Sequence, residues 1–353
     1  MKRAAIAAVA LCAAMPAWPA RPQAHTERAK PAPAAAPSAE AAAHPPVVLT
    51  PQYTPGDSMR YQVSFRSQSK SLVGGALENP QGATELGISI GLTLHLEVLP
   101  PIPVSAVPAT AAPATGAPAP AAADRPPLRL RAIYERVSAE LTGDSYDPSA
   151  GKLLSQYKNL EGRAIEFQLA PHGEVEYMQG LEEILQDTRA LEAARAWLEQ
   201  LGAGLEAPLT GVSPGQSWDQ TRPVPDAPLN GTELQTKSSY LRDEACDVQN
   251  PAGDQCAVVL MRFSLGQKGG EKHITPEAFR KNGLRTSGLW TSHGESLVYV
   301  SLRTGRTVSV TQSSEELMDL SIRHENGGIP FRYSGRAKTE THLLLLDEKP
   351  ATR

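Results

Sequence analysis

Polar and apolar residues alternate with period two along much of this chain. Leu86, Ile88, Ile90, Leu92, Leu94, Leu96 and Val98 alternate with Gly87, Ser89, Gly91, Thr93, His95 and Glu97. Such strict alternation predicts a long strand with one buried face, the habit of an antiparallel sheet. Tyr61, Val63 and Phe65 alternate with Gln62 and Ser64 just before it. In 128–141 the apolar set begins as Leu128, Leu130, Ala132 and Tyr134, then slips phase to Val137, Ala139 and Leu141. A bulge near Glu135 produces that slip. Ile165, Phe167 and Leu169, the turn Pro171-His172-Gly173, then Val175 and Tyr177 predict a hairpin. Residues 234–242, 256–265, 289–302, 307–313 and 331–346 also read as strands.

The period changes once. Leu181, Ile184, Leu185, Leu191, Ala194, Trp197, Leu198 and Leu201 follow helical spacing, and Gly202 and Gly204 can end the element. One long helix over 181–201 is predicted, with Glu182, Glu183, Asp187, Arg189, Glu192 and Arg195 as its solvated face. The fold class is therefore mainly β: antiparallel curved sheets, as a half-barrel or as two sheets, with the helix packed on them. Pro55-Gly56-Asp57-Ser58-Met59 opens the first strand, and Pro214-Gly215-Gln216-Ser217-Trp218 opens a second series. Arg303-Thr304-Gly305-Arg306 echoes Pro171-His172-Gly173-Glu174. A duplication, with halves 47–180 and 212–346 around the helix, is one reading of these echoes.

The ends of the chain change this picture. Residues 1–20 join a charged start, Lys2 and Arg3, to a short apolar run and small residues that suit cleavage, as in a signal peptide. Cys12 offers a lipid-anchor alternative, although Leu11 stands where a small residue is wanted. Residues 21–46 are an Ala/Pro-rich tether, and 347–353 a short tail. A second Ala/Pro tract, 100–127, reads as a loop inserted in the 47–346 domain, since lengthening a loop from about four to about 28 residues costs only roughly 1.7 kcal/mol. About 250 residues then remain to build a core, one large or two small domains. The formal charge of −4, without a basic block, argues against a nucleic-acid partner. No apolar run after the signal peptide is long enough to span a bilayer. A periplasmic or secreted location is expected.

Export gives meaning to Cys246 and Cys256, which flank the turn-rich run Asn250-Pro251-Ala252-Gly253-Asp254. The ends of a hairpin loop lie close together, so a disulfide across it is expected. A zinc site is the rival, but the segment supplies no histidine, and two thiolates alone do not close one.

The landmarks PGDSMRY (55–61), GRAIEFQLAPHGEV (162–175) and PGQSW (214–218) together resemble a family of uncharacterised secreted bacterial proteins, a domain of unknown function. The resemblance runs over roughly 47–346 and implies no activity or catalytic residue.

Chemistry is sparse. Gly87-Ile88-Ser89-Ile90-Gly91 fits G-x-S-x-G but lies inside an alternating strand, where a nucleophile elbow cannot form. Ser67-Gln68-Ser69-Lys70 fits the S-x-x-K of penicillin-binding enzymes, yet Ser67 continues a strand rather than opening a helix. A serine hydrolase is therefore the third reading. His293 and His324 have Glu295 and Glu325 nearby but not at metal-ligand spacing; no cofactor is expected. The leading expectation is a non-enzymatic envelope protein that holds an apolar ligand, or a hydrophobic segment of a partner protein, between sheet and helix. Ile88, Ile90, Leu92, Leu94, Leu185, Trp197, Leu198 and Leu201 are its candidate lining. The alternative is a structural module that recruits another envelope protein through its sheet edges.

Overall fold

The computed structural model describes residues 45–75, 82–101, 127–143, 155–170, 175–184, 191, 194, 195, 197, 198, 201, 205–224, 227–247, 249, 250, 252–267 and 275–349. Eleven strands follow in chain order: β1 (Ser58–Gly75), β2 (Thr84–Leu99), β3 (Leu128–Gly143), β4 (Ala164–Leu169), β5 (Val175–Gln179), β6 (Ser217–Pro223), β7 (Thr232–Ala245), β8 (Gln255–Gln267), β9 (Leu284–Ser301), β10 (Thr307–His324) and β11 (Phe331–Lys349). They form one sheet rather than two, in the order β5-β4-β3-β2-β1-β11-β10-β9-β8-β7-β6. Every neighbouring pair is antiparallel. The chain is thus two meanders joined where β1 pairs with β11, and the sheet is open at β5 and β6.

Alternation sorts the side chains onto two faces. On the inner face Met59, Tyr61 and Val63 of β1, Leu94, Leu96 and Val98 of β2, Leu130, Ala132 and Tyr134 of β3, and Ile165, Phe167 and Leu169 of β4 form one buried cluster. Two more clusters occupy the second meander. One gathers Trp290, Met318, Leu320 and Tyr333, and the other Tyr240, Val259, Val298 and Val300. The outer face is charged and paired across strands, with Arg60 on Glu135 and Asp347, Arg131 on Glu166, and Lys70 on Glu85. The predicted bulge is present: Thr93 faces Arg136 and Leu94 faces Tyr134, which leaves Glu135 as the extra residue of β3. The bulge returns Val137, Ala139 and Leu141 to the inner face and aims the Glu135 carboxylate at Arg60 Nε and Nη2, both at 2.8 Å.

Three expectations are corrected. First, no single helix fills 181–201. Gly180 turns the chain out of β5 with φ 94°, Leu181 lies in a bend, and the Ile184 amide donates to the Leu181 carbonyl at 3.0 Å, an i to i+3 turn. Helical backbone is described at Leu191, Ala194, Arg195, Trp197, Leu198 and Leu201. The apolar spacing still serves its purpose, because Leu181, Leu198 and Leu201 are buried in the first cluster and Ile184, Leu191, Ala194 and Trp197 pack against it. Second, β10 runs to His324 instead of ending at Ser313. Its inward positions Gln312, Ser314 and Glu316 are polar, so hydropathy alternation fades while the strand continues. Third, 347–349 belong to β11 rather than to a tail. Strand β6 and the short helix Glu277–Lys281 have no strong periodic signal in the sequence.

The two Pro-Gly turns are built alike. The Gly56 amide donates to the Val98 carbonyl at 2.8 Å, and the Val98 amide returns to the Asp57 carbonyl at 2.9 Å. Gly215 and Gln216 do the same with Tyr240, at 2.7 and 2.9 Å. In both turns the side chain after glycine accepts from the amide three residues back, Thr54 to Asp57 and Ser213 to Gln216, each at 2.8 Å. Both glycines need positive φ, 94° and 88°. Strands β1–β5 and β6–β10 also run in the same order along the sheet, with β11 inserted between β1 and β10. Without that extra strand β1 and β10 would meet in parallel.

Candidate ligand-binding face

Directly opposed residues in an antiparallel pair share a face, so the registers define rungs across the whole sheet. One inner rung reads Ala139, Ile90, Phe65, Thr341, Gln312, Ser296, Met261, Ser238 and Trp218 from β3 to β6. The next reads Leu141, Ile88, Ser67, Thr339, Ser314, Gly294 and Phe263 from β3 to β8. A third carries Leu86, Ser69, Ala337, Glu316, Ser292 and Leu265 from β2 to β8. The three rungs are apolar on β2 and β3 and mostly polar from β11 to β9. Phe263 and Leu265 make β8 apolar again.

The two parts differ in exposure. Leu86, Ile88, Ile90, Leu141 and Phe65 are only half-buried, whereas Leu94 and Leu96, farther along the same face of β2, are fully buried. The polar belt is less exposed: Ser67, Ser292, Ser296, Gln312, Ser314, Glu316, Thr339 and Thr341 are all buried. Within it, Trp290 Nε1 donates to the Glu316 carboxylate at 2.5 Å, and the hydroxyls of Ser314 and Thr339 lie 3.5 Å apart. A Cβ at Gly294 would stand 2.5 Å from the Phe263 ring, so the glycine lets that ring lie across the edge of the belt.

The predicted lining therefore divides. Leu94, Leu198 and Leu201 are brought together in the first cluster, with Leu92 and Trp197 packed against it, and these five make ordinary core contacts. Ile88 and Ile90 lie outside that cluster on the half-open strip, and Leu185 lies outside the described residues. Sequence reasoning missed the polar belt. Its signal was the loss of apolar character at 312–316 between two alternating stretches.

At the end of the sheet where β1 starts, a second polar construction joins distant motifs. Arg306 of the Arg303–Arg306 turn bonds Asp57 of the Pro-Gly-Asp turn and Glu348 of β11. Its Nε and Nη2 also donate to the Gln52 carbonyl at 2.9 and 2.6 Å, and its guanidinium lies 5.1 Å from the centre of the Tyr53 ring. Gly305, with φ 67°, approaches Thr50 so closely that a Cβ would come within 2.1 Å of its carbonyl oxygen. Every guanidinium nitrogen has a partner, so this node reads as structural.

The remaining candidates are placed as follows. Ser67 and Ser89 both lie inside strands, so neither sits at a helix start or an elbow. His293 and His324 are exposed, and among the described residues no three His, Cys, Asp or Glu side chains cluster as metal ligands do. Cys246 and Cys256 are bonded, with Cα atoms 5.0 Å apart, across the β7–β8 loop. A polar depression of about 780 Å³ lies beside Gln156, Lys158, Arg163 and Glu183, and one of mixed lining, about 440 Å³, beside Gln62, Val310, His342 and Leu344. Neither borders the half-open strip. Among the described residues no helix is long and apolar enough to cross a membrane.

No protein-family model matches this sequence, and no curated protein does. Among solved structures the chain is similar to lipovitellin, in a structure concerned with lipid–protein interactions, at 12% identity and TM-score 0.39. The match covers 86% of this chain but only 26% of the lipovitellin chain. So weak a likeness carries no argument about ligand or activity.

Proposed function

We propose that this is an exported, non-enzymatic protein that holds an apolar ligand, or a hydrophobic segment of a partner, on the inner face of its sheet. The observation that carries this reading is the contrast along β2: Leu94, Leu96 and Val98 are sealed in a core, while Leu86, Ile88 and Ile90 on the same face are half open. Leaving apolar surface exposed forgoes about 25 cal/mol per Å², and a contiguous strip of it marks an interaction site. The disulfide supports an oxidising compartment such as the periplasm or the extracellular space. Residues 1–20 then act as the signal peptide and 21–46 as the tether. The repeated Pro-Gly turns and strand order support an origin by duplication.

Recruitment through sheet edges is the less favoured reading. Edge strands β5 and β6 have only 5 and 7 residues, against 18 and 19 for central β1 and β11. Short edges, here with Arg222 and Pro223 ending β6, are how sheets avoid pairing with other chains.

The test is binding of Nile red, a neutral dye that fluoresces in apolar surroundings. Wild-type protein should enhance its emission saturably, and Ile90→Asp, which puts a charge on the strip, should weaken binding at least tenfold. Absence of saturable binding by the folded wild type would overturn the proposal.

A further inference from the structure

The half-open strip and the polar belt are neighbours on the same rungs. Ile90, Phe65 and Thr341 stand side by side on one, and Ile88, Ser67 and Thr339 on the next. An apolar surface on β2 and β3 thus passes within two strands into a surface made of hydroxyl and amide groups. Two belt hydroxyls, Ser292 Oγ and Thr341 Oγ1, are buried and have no hydrogen-bond partner in the protein, at 3% and 6% residue exposure. Burying a hydroxyl unpaired costs on the order of 1–3 kcal/mol, so each invites a partner, and Thr341, opposite Phe65, is the one that adjoins the strip.

The charge of the belt narrows what that is. From β1 to β9 its side chains are Ser67, Ser69, Gln312, Ser314, Ser292, Ser296, Thr339 and Thr341, with one carboxylate, Glu316, already accepting from Trp290. Among the described residues no Lys or Arg stands on these three rungs between β3 and β9. A phosphate or carboxylate placed there would be buried without a cation, which is strongly unfavourable. Hydroxyls both donate and accept, so they suit a partner that does the same.

We propose that the ligand is a single-chain amphiphile with a neutral, hydroxyl-bearing headgroup. Its tail lies along Phe65, Ile88, Ile90 and Leu141, and its headgroup bonds the near edge of the hydroxyl belt through Thr341, which stands beside Phe65 on the same rung. This rests on the apolar-ligand reading above and adds the chemistry of the head.

The experiment displaces Nile red from the full mature chain with three twelve-carbon amphiphiles, each below its micelle concentration: monolauroylglycerol, laurate and dodecyltrimethylammonium. Monolauroylglycerol should act at a concentration at least tenfold lower than either charged compound. The near-isosteric Thr341→Val should reduce that preference, read as the ratio of monolauroylglycerol to laurate potency, at least threefold, whereas Ser292→Ala, two strands and two rungs away, should not. Native mass spectrometry of wild-type protein with an equimolar mixture of the three checks the preference without any variant. Equal displacement by all three, or preference for a charged head, overturns the headgroup assignment but leaves the apolar site standing. Failure of the wild type to bind Nile red or any of the amphiphiles defeats both.

Discussion

Asp57 and Arg306, 249 residues apart, show how little room a buried charge has. Both are almost fully buried, at 4% exposure each. Breaking such a pair from one side strands the other charge and costs about 3–5 kcal/mol. Asp57→Ala should therefore lower unfolding free energy by about 3 kcal/mol in urea titration, the remaining Glu348 contact keeping the loss near the lower end. A loss below about 1 kcal/mol would rank the node with ordinary surface pairs. The buried tyrosines behave differently. Burial raises the hydroxyl pKa of Tyr53 to about 12 and pushes Tyr61 and Tyr134 higher still. These groups keep their protons longer folded than unfolded, so their contribution to stability is whole below about pH 10 and drains away as pH rises toward and through the folded values. Alkaline titration followed at 295 nm should show these tyrosines ionising together with loss of far-ultraviolet circular dichroism, not before it. Both turn motifs of the node are legible in the sequence as turns. Their meeting is not, because nothing local in Pro-Gly-Asp encodes a partner near the other end of the chain.

Among the elements, the strands were the most readable and the helix the least. Seven alternating residues in β2 and the phase slip at Glu135 can be read directly, since a side chain on the wrong face of a strand is penalised at every position. The 181–201 pattern is ambiguous for the opposite reason: apolar residues at helical spacing also suit a bend followed by a shorter helix packed on the same core. Two substitutions separate core from strip. Trp197→Ala removes a large side chain packed on the first cluster and should cost about 3 kcal/mol, whereas Ile90→Ala on the half-open strip should cost about 1 kcal/mol. Equal losses in denaturant would mean that the strip is core after all. The β7–β8 loop offers another comparison. Replacing Cys246 and Cys256 together with alanine should cost about 2.5–3 kcal/mol, the chain-entropy value for so short a loop, with the far-ultraviolet spectrum unchanged. Two thiols free to react with maleimide in the unreduced, denatured wild type would contradict the bond.

For the molecule as a whole, the sequence foretold two β-rich series and left open whether they form two sheets or one half-barrel, because pairing of β1 with β11 depends on residues at opposite ends of the domain. Nor did it foretell the polar belt, whose serines and threonines look like solvent-facing positions until the rungs are assembled. That same pairing shapes how the protein comes into being. Ser58 stands opposite Lys349, so the central seam can zip only after β11 has emerged from the ribosome. Until then β1 presents an 18-residue unpaired edge, the kind that templates aggregation. Contacts of such sequence separation also form slowly. A chain truncated before Phe331 would keep two long open edges, β1 and β10, with no strand to cover them. Biogenesis is thus the vulnerable stage of this protein's life. A holding chaperone should matter more to its yield than any single contact in the finished sheet, and the yield of the β11 truncation should fall most sharply where such chaperones are depleted.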